Sequence, residues 1–220
     1  MGINIAIDGP SAAGKSTIAK RLAELLGYRY LDTGAMYRCV ALKAKRLRYN
    51  LENEKQIMEM LEHTIISFDS EQRVFLDDED VSEAIRQKEV SFFASTVSRL
   101  KEVRADMVSR QQKIASSQGG IILEGRDIGS VVLPKAELKI FLSASAEIRA
   151  QRRYDELIAR GEQCDYNEIL ADVNRRDIQD LTRENSPLIK CDDAVEIDSS
   201  TLSIKEISDL IYRLAIERGA

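Results

Sequence analysis

Residues 3–17 read Ile-Asn-Ile-Ala-Ile-Asp-Gly-Pro-Ser-Ala-Ala-Gly-Lys-Ser-Thr, and residues 9–16 within them fit the pattern G-x-x-x-x-G-K-[ST]. A short apolar run of strand type precedes the pattern, and apolar residues recur at helical spacing after it, over 18–26. A strand, a loop and a helix in this order are the setting of a phosphate-binding P-loop. The stretch therefore predicts a P-loop NTPase-type α/β fold, a three-layer α/β/α arrangement with a central parallel sheet.

The residues of this loop have expected tasks in binding ATP. Gly9 and Gly14 let the backbone turn tightly and approach a phosphate, because they carry no Cβ. The loop N–H groups converge on anionic oxygens, and the helix N-terminus adds positive potential. Lys15 is expected to contact the β- and γ-phosphates, and the Ser16 hydroxyl is expected to bind Mg²⁺. The predicted ATP-binding residues are Gly9, Pro10, Ser11, Ala12, Ala13, Gly14, Lys15, Ser16 and Thr17.

Composition limits the classes of protein that the chain can represent. The 220 residues are 44% hydrophobic and 31% charged, which is typical of one sizeable globular domain. A net charge of −5 favours neither a nucleic-acid nor a membrane partner. We find neither an apolar run of about 18 residues nor the basic and apolar pattern of a signal peptide. Three widely spaced cysteines predict neither a disulfide framework nor a zinc site, so we expect a cytoplasmic protein.

The first half of the chain contains a second strand and an apparent insertion. A strand over 28–31 leads into a helix that Asp32 or Thr33 is expected to cap, with Tyr37 and Arg38 one turn inside it. Apolar runs over 64–68 and 73–76 predict an antiparallel hairpin between helices over 54–63 and 103–116. The acidic stretch 77–80 is expected to be a solvated loop. A hairpin at this place interrupts the alternation of parallel strands and helices, and it indicates an inserted subdomain.

The second half carries a further set of charged residues. An apolar strand over 121–123 ends at Glu124, whose position resembles a Walker B acid that binds Mg²⁺ through water. Arg126 and Asp127 follow on a tight loop, where an ion pair between them is the structural alternative to a functional role. Two later helices carry Arg149, Arg152, Arg153 and Arg160, and Arg176, Asp180 and Arg183. Surface ion pairs are the usual fate of such a pattern, and a lid that closes over a triphosphate is the functional alternative.

A small kinase fits these features better than other P-loop proteins do. A GTPase needs an Asn-Lys-x-Asp stretch, and the nearest match, Asn174-Arg175-Arg176-Asp177, lies inside a charged helix. A motor ATPase usually needs a larger chain. Phosphoryl transfer depends on in-line positioning and charge neutralisation. A nucleoside monophosphate is largely dianionic at neutral pH, so it needs cations and no general base. The many arginines therefore favour a phosphate acceptor over an alcohol.

The sequence resembles the bacterial cytidylate kinase family, which belongs to the nucleoside monophosphate kinases. The resemblance runs nearly end to end, and it is carried by residues 5–17, 32–38, 125–134, 176–188 and 192–194. It implies a core over 1–50, 101–148 and 184–220, a monophosphate-binding insert with a small antiparallel sheet over about 51–100, and a helical lid over about 149–183. It also implies transfer of the γ-phosphoryl group of ATP to CMP or dCMP, with Mg²⁺, by a monomer.

The same resemblance implies roles for individual residues. The implied contacts of the acceptor phosphate are Thr33, Tyr37, Arg38, Arg126 and Arg183. The implied cytosine contacts are Ser95, Arg104 and Asp127, and the implied ribose contacts are Arg176 and Asp180. These roles suit cytosine, because its N4 amino group donates to a carboxylate and its O2 and N3 accept. The implied catalytic residues are Lys15, Arg126, Arg153 and Arg183, with Arg149 and Arg160 as further lid cations.

The sequence departs from the family pattern at two places, and it leaves two alternative functions open. Gln179 stands where some relatives carry another lid arginine, and Ala12-Ala13 replaces a glycine-containing pair. The first alternative is a P-loop kinase for another acceptor, such as UMP, AMP or a small alcohol. The second is a nucleotide-dependent binding protein without catalytic activity. The presence of Lys15, Ser16 and the arginines argues against the second alternative.

Overall fold

The computed structural model describes residues 2–116 and 119–220. Among these, residues 2–30 and 119–220 form one compact unit, and residues 31–116 form another. In chain order the strands and helices are β1 (Asn4–Asp8), α1 (Lys15–Leu26), β2 (Arg29–Asp32), α2 (Thr33–Arg46), α3 (Glu54–Leu61), β3 (Ile66–Phe68), β4 (Val74–Leu76), β5 (Glu79–Asp80), α4 (Lys88–Val97), α5 (Lys101–Ser116), β6 (Ile121–Gly125), β7 (Leu138–Ser143), α6 (Ala146–Ala159), α7 (Tyr166–Thr182), β8 (Val195–Asp198) and α8 (Ile204–Glu217).

The first unit is built on a five-stranded sheet with the order β2-β6-β1-β7-β8. The β1–β6, β1–β7 and β7–β8 pairs are parallel. The central strands are continuous apolar runs because both faces of a parallel sheet are covered, and Ile5 and Ile7 of β1 are fully buried. In the β1–β6 register Asp8 lies opposite Gly125, so the segments that follow these two strands begin side by side.

Helices of the first unit cover the sheet and form a separate pair. α1 packs against α8, and their apolar residues join β1, β7 and β8 in one buried core. α8 begins with a capping box in which Ser203 and Glu206 satisfy each other's backbone N–H groups. α6 and α7 pack together around Ala150, Ile169 and Val173. The expected fold type, a parallel sheet flanked by helices, is confirmed.

The second unit contains helices and a small antiparallel sheet. α2 packs against α4, and α3 packs against α5. The predicted hairpin forms as β3 and β4, with Ser67 opposite Phe75. The expectation of a solvated loop over 77–80 is wrong in part, because Glu79 and Asp80 pair with β4 as a third strand. Positive φ angles at Asp77 and Asp78 form the turn between β4 and β5. Both terminal guanidinium nitrogens of Arg46 bind Glu79, at 2.7 and 2.8 Å.

α4 and a π-helical turn are among the elements that have no counterpart among the sequence-based predictions. α4 is rich in β-branched and aromatic residues, which have modest helix propensity, and its packing against α2 stabilises the helix. A π-helical turn, Ile128–Val132, follows β6. Within the part of the chain that the structure describes, no helix combines the length and the apolarity needed to cross a membrane.

Candidate active site

The P-loop connects β1 to α1, and its first glycine is required by steric contact with the sheet. Gly9 has a φ of 149°, and a Cβ placed on it would lie 2.1 Å from the Leu142 carbonyl oxygen of β7. Gly14 has a φ of 89° in the left-handed region, directly before α1. The loop is therefore seated against β7 in a way that no side chain at position 9 permits.

Protein donors hold three carbonyl oxygens of the loop. Lys15 Nζ donates to the Pro10 carbonyl at 2.6 Å. Arg149 Nη1 donates to the Ser11 carbonyl at 3.3 Å, and Ser199 Oγ donates to the Ala13 carbonyl at 3.1 Å. Carbonyl oxygens repel phosphate, whereas backbone N–H groups attract it. Engagement of the carbonyl oxygens by protein donors therefore favours an anion-binding conformation of the loop.

Lys15 is buried in a group of charged side chains. Its side chain is buried, and burial together with the positive charge of Arg126 lowers the pKa of Lys15 to about 7. Glu124, Asp180 and Asp8 act in the opposite direction. An anion bound beside Lys15 would favour its charged form, so the neutral amine is poised to gain a proton when a phosphate binds.

Two of the predicted site residues, Glu124 and Arg126, lie at the end of β6, and Arg126 contacts a third, Asp180 of α7. Glu124 is buried, and the Tyr30 hydroxyl donates to its Oε1. Arg126 Nε lies 2.7 Å from Asp180 Oδ2. Burial alone would lower the pKa of Arg126, but Asp180, Glu124 and Asp8 together outweigh burial and raise it. Arg126 is therefore a fixed positive charge whose orientation α7 controls.

The charged face of α7 has the arrangement that helical spacing predicts. Arg183 Nη1 lies 3.9 Å from Asp180 Oδ1, and Arg183 Nη2 lies 3.7 Å from Asp127 Oδ1. Burial alone would raise the pKa of Asp180, but Arg126, Arg183 and Arg176 outweigh burial and lower it. Arg183 also donates to the Ser186 carbonyl at 2.6 Å. Contacts within the protein thus hold the Arg183 guanidinium in one orientation.

The arginines predicted for the lid on α6 and on the turn after it have two different environments. Arg149 is buried, and its two terminal nitrogens lie 3.0 and 2.5 Å from the Asp177 carboxylate of α7. Arg153 and Arg160 both bind the Glu156 carboxylate, at 2.8 and 2.6 Å. The surface ion pairs that the sequence left open thus exist at Arg153 and Arg160. Arg149 instead links α6 to α7 through Asp177 and to the P-loop through the Ser11 carbonyl.

The second unit places its predicted site residues near the start of α2, on α4 and on α5. Asp32 caps α2 by accepting from the Ala35 N–H at 3.0 Å, and it binds Arg38 Nη2 at 2.6 Å. Burial alone would raise the pKa of Asp32, but Arg38, the Ala35 N–H and Arg86 together outweigh burial, so the pKa is lowered. Arg104 Nη1 donates to the Tyr37 hydroxyl at 3.1 Å, and its guanidinium carbon lies 5.3 Å from the Tyr37 ring centre.

The two remaining residues predicted for this unit lie on α2 and α4. Thr33 is the buried first residue of α2. Ser95 lies on α4, where its hydroxyl is 3.5 Å from the Ser91 carbonyl. These placements leave both hydroxyls on regular helices, so their positions are set by helix packing and not by a mobile loop.

The available donors suit Mg²⁺ better than a transition metal. Ser16 presents an exposed hydroxyl on the first turn of α1, and Glu124 presents a carboxylate, and both are hard oxygen ligands. Among the described residues, no group of three or more His, Cys, Asp or Glu side chains is arranged to hold a metal. The donor set therefore fits an ion that arrives with nucleotide phosphates and keeps some of its waters.

Sequence patterns did not single out three residues that the structure connects to the site. Asp8, Asp177 and Ser199 each bind a residue or segment of the predicted site. Asp8 directly precedes the P-loop, and Asp177 lies three positions before Asp180. That proximity in sequence was the only signal, because their partners come from distant segments.

Comparison with known proteins identifies the family. A model described as cytidylate kinase matches residues 5–217. The chain belongs to the cytidylate kinase family. Cytidylate kinase of Caldicellulosiruptor bescii is 52% identical over 215 residues, which cover 96% of this chain and 95% of that protein. Cytidylate kinase of Bacillus subtilis is 47% identical over 219 residues, covering 98% and 97%.

A solved structure supports the fold alone. An uncharacterized protein from Eubacterium ventriosum aligns with a TM-score of 0.52 at 13% identity, covering 97% of this chain and 98% of that one. Membership of the cytidylate kinase family, which the motifs predicted, is thereby confirmed by the family model and by the relatives. The chain is a kinase, and its P-loop lies within the matched region.

Proposed function

We propose that this chain transfers the γ-phosphoryl group of ATP to CMP or dCMP, which yields CDP or dCDP and ADP. The observation that carries the proposal is the charged group around Lys15, in which the buried P-loop lysine lies in the field of the buried Glu124 and of the Arg126–Asp180 ion pair. Membership of the cytidylate kinase family identifies the acceptor that this group would serve.

In this proposal the P-loop binds the phosphates of ATP. The backbone N–H groups of Gly9 and of residues 11–17, which include the first turn of α1, bind the phosphate oxygens, and Lys15 neutralises charge on the β- and γ-phosphates. Ser16 and, through water, Glu124 would hold Mg²⁺. When bound, Mg²⁺ would neutralise charge on the phosphate oxygens.

Arginines would then neutralise the charge that develops between donor and acceptor. Arg126 and Arg183 are both held by protein carboxylates, so little reorganisation is needed when a phosphate replaces those contacts. We assign the transferring phosphoryl group to Lys15, Arg126, Arg153 and Arg183. A monophosphate acceptor is already ionised, so the proposal requires no general base.

The acceptor would be recognised by its phosphate, its ribose and its base. We assign the phosphate to Thr33, Tyr37, Arg38, Arg126 and Arg183. We assign the ribose to Arg176 and Asp180, and the cytosine to Ser95, Arg104 and Asp127. Asp127 suits the N4 amino group of cytosine, whereas the O4 carbonyl of uracil would leave a buried carboxylate facing an acceptor.

The finer organisation also belongs to this proposal. We retain a core over 1–50, 101–148 and 184–220, an insert for the monophosphate over about 51–100 and a lid over about 149–183. The side chains of Arg153, Arg160 and Glu156 are at least one-third exposed, so breaking their ion pairs costs little free energy. A phosphate could therefore replace Glu156 as their partner. We further propose a cytoplasmic monomer that uses ATP with CMP or dCMP, without a nucleic-acid or membrane partner.

An acceptor panel tests the proposal. ADP formation from ATP and Mg²⁺ is measured with CMP, dCMP, UMP, AMP, GMP and dTMP in separate reactions. We expect fast turnover with CMP and dCMP, weak turnover with UMP and none with the others. Asp127→Ala is expected to reduce the preference for CMP over UMP more than it weakens ATP binding. Faster turnover with another acceptor, or an unchanged preference in that variant, would contradict the assignment.

A further inference from the structure

Asp8 connects the P-loop to the segment that follows β6. It is the last residue of β1 and directly precedes Gly9. Its two carboxylate oxygens accept hydrogen bonds from consecutive backbone N–H groups, Ile128 at 2.8 Å and Gly129 at 2.7 Å. The side chain is 5% exposed, so these bonds form away from water. Hydrogen bonds from N–H groups to a buried carboxylate are among the stronger ones in proteins.

The end of β1 holds the backbone on both sides of Arg126 and Asp127. Gly125, which precedes the two residues, is held by its parallel register opposite Asp8. Ile128, which follows them, is held by the Asp8 carboxylate. The intervening residues therefore span a gap whose two ends are both tied to the end of β1.

The turn beyond this gap is folded back on Asp127. The Val131 and Val132 N–H groups both donate to the Asp127 carbonyl, at 2.9 and 3.1 Å. The N–H groups bound by Asp8 belong to the first two residues of the same turn. The Asp8 carboxylate thus fixes the backbone from which the Asp127 side chain extends.

We infer that Asp8 is a positioning residue that sets the orientation of Arg126 and Asp127 relative to the P-loop. The inference rests on the proposed function, because it concerns how the proposed acceptor contacts are aligned. Asp8 itself touches neither nucleotide in this account. It acts by tying the backbone that carries the proposed cytosine contact to the strand that carries the phosphate-binding loop.

The surroundings of Asp8 explain why a carboxylate is needed and why its partner is glycine. Asparagine offers one acceptor oxygen and one amino group, so it leaves one of the two N–H donors facing another donor. A Cβ on Gly129 would lie 3.1 Å from Lys139 Cδ and 3.4 Å from Asp8 Oδ2. A Cβ at 129 would therefore crowd the Lys139 side chain and would touch the carboxylate that the residue's own N–H binds.

Burial raises the pKa of Asp8 to about 6, while the Gly129 and Ile128 N–H groups hold it lower than burial alone would. Nearby Asp127 raises it further, and Lys15 lowers it. A buried carboxylate with a raised pKa costs folding stability at neutral pH. A costly group of this kind at the edge of a site is consistent with a functional requirement for it.

The test uses Asp8→Asn and Gly129→Ala, with Ile7→Val as a matched control. Ile7 is fully buried on the same strand, so the control removes one core methyl group and leaves the carboxylate and its two donors in place. For Asp8→Asn we expect kcat/KM for CMP to fall about 10- to 30-fold. The preference for CMP over UMP should fall about fivefold, and KM for ATP should change less than about threefold.

Gly129→Ala should shift the same parameters in the same direction, and Ile7→Val should leave the CMP preference unchanged. A role limited to folding stability would lower the thermal midpoint without moving the preference. If the wild type phosphorylates CMP and both variants keep its kcat/KM and preference, the inference is wrong. If the wild type does not phosphorylate CMP, the proposed function fails instead.

Amide hydrogen exchange provides a readout that does not depend on activity or on variants that fold. Both N–H groups donate to a buried carboxylate, so the Ile128 and Gly129 amides of the wild type should be strongly protected. Asp8→Asn should raise exchange at these two amides more than at the β1 amides. Rapid exchange at both amides in the wild type would overturn the inference.

Discussion

Lys15 provides the most quantitative prediction, because its charge state should change when ATP binds. Burial and Arg126 lower its pKa to about 7. At pH 8 about nine-tenths of the free protein therefore carries neutral Lys15, against about one-tenth at pH 6. The ATP phosphates favour the charged ammonium, so binding should take up about 0.9 proton at pH 8 and about 0.1 at pH 6.

Isothermal titration calorimetry measures this uptake. A non-hydrolysable ATP analogue with Mg²⁺ is titrated into the protein at pH 6 and at pH 8. Each titration is done in two buffers that differ in ionisation enthalpy. Lys15→Arg is the matched control, because an arginine stays charged throughout this range and has no proton to gain. Subtracting the proton uptake of the variant from that of the wild type separates the contribution of Lys15 from that of the nucleotide. Equal uptake by both proteins at pH 8 would refute the reasoning.

Three further predictions concern stability and the loop anchors. Gly9→Ala should lower the free energy of unfolding by at least about 3 kcal/mol in denaturant titration, because its Cβ would lie 2.1 Å from a β7 carbonyl oxygen; Gly161→Ala, where no atom lies within 4 Å, should cost only about 1 kcal/mol. Ser199→Ala should raise KM for ATP about 5- to 10-fold and leave KM for CMP unchanged in steady-state kinetics, since the hydroxyl holds a P-loop carbonyl; equal changes in both constants would contradict this. Asp180→Asn should destabilise the protein by about 2 kcal/mol at pH 7. Because Arg126 holds the Asp180 pKa below its unfolded value, that difference should shrink as pH falls below about 4; a difference independent of pH would contradict the assignment.

Local patterns predicted the elements whose stability comes from local sequence. The apolar run of β1, the loop glycines and the periodicity of α1 identified the P-loop unit with little ambiguity. A cap at Asp32 or Thr33 was expected because both residue types favour that position, and the cap is Asp32. In contrast, α4 is stabilised by packing against α2, and β5 exists only because β4 offers it hydrogen bonds. Neither source of stability is visible in a local window of sequence.

The site was predictable as a set of residue types and not as a set of contacts. Helical spacing correctly grouped Asp180 and Arg183, which approach to 3.9 Å although Arg183 directly follows the last residue of α7. Spacing did not indicate that Arg149 would be buried against Asp177, because the partner comes from another helix. The same holds for Asp8, whose two hydrogen-bond donors lie 120 and 121 positions away in the chain. Long-range partners decide which charges are available to a substrate.

The central claim is transfer of a phosphoryl group from ATP to a cytosine nucleotide, and ³¹P NMR of one reaction mixture tests it directly. With ATP, Mg²⁺, CMP and the wild-type protein, we expect CDP and ADP to appear in equal amounts, and Lys15→Ala, with folding intact, to lower the rate by several orders of magnitude. ADP accompanied by inorganic phosphate, without CDP, or near-wild-type transfer by Lys15→Ala would contradict the account.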